Sequence, residues 1–147
     1  METKFFAQCE QFPNLYLDVN YDNEDSFYKA TAMSMQNEEM GYITYKFIPE
    51  ERLAWLCKIE TYENFQHRGV ATALLAFFEQ EALTKRYRNV EGKYYPSNKF
   101  AKPFYEKMGY AIEREGYGQF VGKYLSQERD IRFEITQNLP NEEMSTK

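Results

Sequence analysis

Thr61-Tyr62-Glu63-Asn64-Phe65-Gln66-His67-Arg68-Gly69-Val70-Ala71-Thr72 is the stretch on which the fold turns. Before it, Leu53–Thr61 is mostly apolar in its first half, which predicts a strand in the middle of a sheet. After Gly69, apolar residues fall at Ala71, Leu74, Leu75, Phe78, Ala82 and Leu83, the spacing of a helix face. A strand therefore ends, a short glycine-bearing loop follows, and a long helix begins at once. The first turn of a helix carries N–H groups without intrahelical partners and a partial positive charge. An anion placed there accepts those donors directly. Gly69 lets the backbone come close, because no Cβ intervenes. Ala71 is the next smallest choice, and His67 and Arg68 add cationic character. The chemistry this arrangement suits is a pyrophosphate cradle. The plainer alternative is a strand-to-helix turn in which Gly69 supplies flexibility alone.

Working outward toward the N-terminus, three further segments alternate as strands do. They are Leu15–Tyr21, Phe27–Met35 and Met40–Ile48. The turns between them are Asp22–Asp25 and Gln36–Glu39, and Pro49-Glu50-Glu51 closes the last. Phe5–Phe12 is apolar enough for a strand or a short helix.

Toward the C-terminus, Glu79 and Glu81 fall mid-helix, and Lys85, Arg86 and Arg88 suit its negative end. Asn89–Tyr95 reads as a short strand. Ser97 or Asn98 can cap a second helix running to Met108, with Gly109 as its stop. Pro103 inside it predicts a short or kinked element. Ala111–Leu125, with Gly116 and Gly118, reads as a hairpin or two strands. Ile131–Ile135 alternates like a last edge strand, and residues 136–147 read as a flexible tail, polar from Pro140 on. No repeat or linker interrupts residues 1–147, so one domain is expected, a mixed α/β (α+β) sheet with helices packed on it.

Composition narrows the function. The chain has 147 residues, 43% apolar and 18% aromatic, which suits a packed core. A net charge of −5 argues against a general nucleic-acid binder, while leaving room for an anionic ligand held by a local field. Cys9 and Cys57 lack metal-ligand spacing and His67 is the lone histidine, so no metal is expected and two reduced thiols are. Cys57 is read as a buried strand thiol and not a nucleophile. No signal peptide or run of about 20 apolar residues is present, which predicts a cytoplasmic protein away from the membrane.

Two separated motifs resemble the GNAT acetyltransferase superfamily. Gln66-His67-Arg68-Gly69-Val70-Ala71 fits its Gln/Arg-x-x-Gly-x-Gly/Ala signature position by position. Asn98, Tyr105 and Gly109-Tyr110 keep the order and spacing of its second motif. The likeness covers Leu53–Leu125 and implies a mixed sheet, mostly antiparallel, with one splayed parallel pair. It implies acetyl-CoA as co-substrate and an amine, small-molecule or peptide, as acceptor. By resemblance, Ile59, Glu60 and Thr61 border the gap, with Ile59 and Thr61 holding the arm of the cofactor. Gln66, His67, Arg68, Gly69, Val70, Ala71 and Thr72 form the pyrophosphate loop. Asn98 holds the arm from the second side, Lys102 or Lys99 reaches the adenosine end, and Tyr105 matches the general acid. Tyr105 read without the family is a core tyrosine. The family does not fix the general base. Glu60, Glu63, Glu91 or a water each fit, and Glu60 is favoured.

One feature departs from the family pattern. Two helices usually lie between the first two strands, and here only Asp22–Ser26 is available. The acceptor side is then open, or Met1–Pro13 holds replacement structure. An open side suits a peptide amine or a site completed by a second subunit, so a homodimer is among the readings. The competing functions are a non-catalytic acyl-CoA-binding module acting through a protein partner, and an aromatic-rich interaction domain with no cofactor.

Overall fold

The computed structural model describes residues 3–7, 15–95, 97–115, 118–125 and 133–135. Strand β1 (Thr3–Ala7) leads into four strands that each pair antiparallel with the next. They are β2 (Leu15–Asp22), β3 (Phe27–Ser34), β4 (Glu39–Ile48) and β5 (Leu53–Thr61). Helix α1 (Val70–Thr84) follows, then β6 (Asn89–Tyr94), the short helix α2 (Ala101–Lys107), β7 (Ala111–Glu115), β8 (Gly118–Tyr124) and β9 (Phe133–Ile135). The sheet order is β7-β8-β6-β5-β4-β3-β2-β1-β9, with β5 in the interior and β5–β6 as its parallel pair. The mixed, mostly antiparallel sheet expected from the sequence is therefore present.

Local chemistry explains the joints. The Asp22 carboxylate accepts the N–H groups of Glu24 and Asp25 at 2.9 and 3.0 Å, an Asx-type turn that leaves no room for helices between β2 and β3. The first part of the Phe5–Phe12 segment is a strand, and the rest lies outside the described residues. The last edge strand covers Phe133–Ile135, paired with β1, while the expected tail at 136–147 lies outside the described residues. Helix α2 is short, at seven residues, one of the two outcomes that Pro103 predicts, and the proline sits in its first turn, where a missing N–H costs no helical bond.

Alternation buries one face of the sheet. Leu17, Ala30, Ala32, Ile43, Tyr45 and Ala54 are fully buried there and join one cluster with Leu74, Phe77 and Phe78 of α1. Phe5 meets Phe77 with ring centroids 4.8 Å apart, and Tyr45 meets Phe78 at 5.0 Å. Helix α1 is buried almost continuously from Ala73 to Glu79, more than one helical stripe. Val90 and Tyr94 of β6 face the same way, and Tyr94 packs on Tyr105 of α2 at 5.8 Å. Both helices thus share one face. On the other face, Trp55 packs on Phe120 at 6.0 Å, and no helix covers it among the described residues.

β4 and β5 come unusually close at Gly41. A Cβ added there would run into the Glu60 carbonyl oxygen, with the Thr61 Cα at 3.0 Å. Gly41→Ala is expected to lower the urea midpoint by an amount worth about 1–3 kcal/mol. An unchanged midpoint would show that the close approach is absent.

Candidate active site

The parallel ladder between β5 and β6 runs only from Leu53↔Asn89 to Leu56↔Gly92. Strand β5 continues to Thr61, and β6 to Tyr94, without pairing to each other. The break coincides with a bulge against β4, where Tyr45 pairs with Leu56 and Thr44 with Lys58, so that Cys57 is skipped. A bulge leaves a residue unpaired and increases local twist, which turns the two strands apart. The Cys57 side chain consequently emerges exposed, where the sequence reading had it buried. Desolvation around its sulfur still pushes the thiol pKa up, against a nucleophilic role.

A cleft of about 1070 Å³ opens in this gap. One wall is β5 from Cys57 to Thr61, and the Thr61 hydroxyl oxygen is buried there without a hydrogen-bond partner. The loop after β5 is tied back to the strand. Tyr62 N–H donates to the Met40 carbonyl at 2.9 Å, and Gln66 Nε2 donates to the Thr61 carbonyl at 3.3 Å. His67 has φ +65° and Gly69 φ +79°, both left-handed, a shape that turns backbone N–H groups into a concavity. The first helical bond is Ala73 N–H to the Gly69 carbonyl at 3.0 Å. Val70, Ala71 and Thr72 therefore stand ahead of the ladder, and Gly69 provides no side-chain cap to occupy their donors.

Gln66, His67, Gly69, Val70, Ala71 and Thr72 all line the cleft. Arg68 does not. Its guanidinium lies over the Phe65 ring, 5.6 Å from the centroid.

The second wall is β6 and the segment leading into α2. Asn98 lines it, but its side-chain oxygen accepts the Phe100 N–H at 3.1 Å, so the amide nitrogen is the group left to meet a ligand. Phe100 lines the mouth and is 75% exposed, the largest exposure among the described large apolar residues. Lys99 and Lys102 are exposed and lie off the lining, which takes Lys107 instead.

Tyr105 lines the cleft from α2 and is only 4% exposed. Burial, with a smaller contribution from Tyr94, pushes its phenol well above the ordinary value, so it is neutral at physiological pH. Glu60 also lines the cleft. The Tyr42 hydroxyl donates to its Oε1 at 3.3 Å, and Lys58 Nζ stands 3.5 Å away. Glu63 and Glu91 are exposed and outside the lining.

Sequence reasoning did not single out Phe100 or Phe104 as cleft residues. Their i, i+4 spacing, which sets two side chains on one helix side, was the available signal.

The profile of the Acetyltransferase (GNAT) family matches residues 2–110. The chain belongs to the GNAT acetyltransferase family. Among solved structures, the GNAT protein resembles the PaiA N-acetyltransferase of Thermoplasma acidophilum in complex with coenzyme A. Identity is 20% over 67% of this chain and 60% of that one, with a TM-score of 0.62. It also resembles Ard1 of Thermoplasma volcanium (18% identity, 67% and 71% coverage, TM-score 0.60). GCN5 of Tetrahymena is similarly placed (16% identity, 71% of each chain, TM-score 0.61). Such low identities establish a shared fold. No curated protein matches the chain in sequence. Family membership supports acyl-CoA-dependent acyl transfer as the chemistry. The first-turn donors without a side-chain cap, the left-handed Gly69 and the unpaired end of β5 fit an acyl-CoA.

The buried phenols have a measurable consequence. Tyr105 and Tyr45 both have raised pKa values in the folded state, chiefly by burial. The unfolded chain therefore loses those protons first, near pH 10, and stability is kept below that pH and falls as pH rises above it. Denaturant midpoints between pH 8 and pH 11 are expected to show this fall, with a smaller fall in Tyr105→Phe. An identical alkaline profile in the variant would exclude a raised Tyr105 pKa.

Proposed function

We propose that this GNAT protein is an N-acetyltransferase that uses acetyl-CoA and a primary amine in a ternary complex. One observation carries the reading. The uncapped donors at the head of α1 and the unpaired end of β5 line the same cleft, as a diphosphate followed by an extended amide-bearing arm would require. Bound acetyl-CoA would supply a thioester carbonyl for the amine to attack.

The residues divide the remaining work. The N–H groups of Val70, Ala71 and Thr72 hold the diphosphate, with Gln66 fixing the loop through Thr61. His67 lines the cleft from the same loop and adds a ring N–H, while Arg68 is turned away onto Phe65. The backbone from Ile59 to Thr61 and the Asn98 amide grip the arm. Phe100 offers a flat face to the adenine, with Lys107 in the lining beside it and Lys99 and Lys102 exposed on the same segment, from which a long side chain can reach the adenosine end.

Holding both reactants together can supply about 7–11 kcal/mol of the barrier reduction. Backbone N–H groups near Thr61 face the developing charge on the carbonyl oxygen. Tyr105 donates a proton toward the departing sulfur. A thiol has an ordinary pKa of about 8.5, below that of the phenol, and a thiolate leaving into the cleft away from water is made more basic by desolvation, which offsets the raised phenol. Glu60, directly or through a water, takes the proton that the amine must lose. The uncovered face behind the gap leaves room for a bulky acceptor, which favours a peptide amine over an enclosed small molecule.

Acetyl-CoA is expected to raise the melting temperature, and thiol release is expected with a panel of peptide and small amines. Gly69→Val is expected to weaken acetyl-CoA binding about tenfold, because a β-branched residue resists the left-handed backbone and crowds the ligand. Tyr105→Phe is expected to lower kcat about a hundredfold. No thermal shift at saturating acetyl-CoA would end the cofactor assignment, and binding without turnover on any amine would replace the enzyme by an acyl-CoA-binding module.

A further inference from the structure

Glu79 lies in the most buried stretch of α1, 3% exposed, and the reaction outlined above does not use it. Its Oε2 accepts a 2.8 Å hydrogen bond from the Tyr110 hydroxyl, and Lys123 Nζ stands 3.6 Å away. Lys123 also donates to the Met108 carbonyl at the end of α2, at 3.1 Å. A carboxylate withdrawn from water is costly, and an apolar side chain of similar size often serves stability as well. What the polar cluster adds is direction, because hydrogen bonds fix an orientation that packing alone does not.

Tyr110 carries that direction to the active site. Its backbone N–H donates to the Tyr105 carbonyl at 2.9 Å, across a turn made at Gly109 with φ +92°. Its ring meets the Tyr105 ring edge-on, with centroids 5.7 Å apart and planes at 61°. The neighbour that bounds Tyr105 on this side is thus anchored by its own hydroxyl to α1. That is the helix whose first turn forms the anion cradle.

We propose that Glu79, Tyr110 and Lys123 form a buried brace that positions Tyr105 relative to the head of α1. The brace holds the proton donor and the cofactor cradle in one rigid unit. Tyr110 and Glu79 are positioning residues, acting through Tyr105. The proposal rests on the reading of Tyr105 as the proton donor.

A kinetic double-mutant cycle on the full chain tests it. Tyr110→Phe keeps the ring and removes the anchor. It is expected to lower kcat by about tenfold to a hundredfold, as a small misplacement of a reacting group does. The KM for acetyl-CoA is expected to stay within about twofold. In the Tyr105→Phe background the same change is expected to cost nothing further, because the two residues act as a unit. An unchanged kcat in Tyr110→Phe, or an equal fold-loss in both backgrounds, overturns the brace.

Glu79→Gln keeps an acceptor for the Tyr110 hydroxyl and Glu79→Leu does not. The first is expected to retain turnover that the second loses, and equal loss in both also overturns the proposal. Full turnover in Tyr105→Phe would instead defeat the donor assignment itself. That outcome is distinct from failure of the brace, in which Tyr105→Phe is impaired and Tyr110→Phe adds to it.

Discussion

Backbone N–H and C=O groups withdrawn from water need partners, and inside a sheet those partners are the neighbouring strands. Between β5 and β6 that requirement is broken. Pairing stops at Leu56 and Gly92, yet β5 continues to Thr61. The bulge that skips Cys57 turns the strand away from its neighbour and leaves a row of backbone groups facing a cleft. Gly41 on the other side of β5 lets β4 follow the displaced strand closely. Gln66 then ties the loop back to Thr61, so that the head of α1 is presented to the same opening. The break in the ladder sets the position of everything else in the site.

The two walls differ in what holds them. The β5 wall is backbone, fixed by its antiparallel partner β4. The α2 wall is aromatic, with Tyr94, Phe104, Tyr105 and Tyr110 packed on one another at centroid distances of 5.4–5.8 Å. A helix of seven residues has little stability of its own. Its placement depends on those rings and on the buried contact between Tyr110 and Glu79 of α1. Stability and placement of the site are therefore carried by the same side chains.

Much of this was legible in the residues. The alternation of β2 to β5 and the helical spacing from Ala71 to Leu83 are local patterns, and they set element types correctly. The Gly69 turn was legible because a left-handed residue at the start of a helix favours glycine. Other features were not. Cys57 looked buried because it follows the apolar first half of a strand read as lying in the middle of the sheet, and the bulge at Cys57 is a property of the β4–β5 register, which no local pattern encodes. Arg68 looked like a cofactor cation, and its stacking on Phe65 depends on the short turn of Glu63–Phe65.

By itself the sequence determined the order and type of the elements from β2 to α2, the glycine-bearing entry to α1, and the absence of helices between β2 and β3. Each of these follows from periodicity or turn chemistry within a few adjacent residues. Only the tertiary structure decided where the parallel ladder breaks, which lysines and arginines face the cleft, and that Glu79 is a buried partner of Tyr110 and Lys123. Those are relations between residues up to 44 positions apart, from Glu79 to Lys123, and long-range packing alone brings them together.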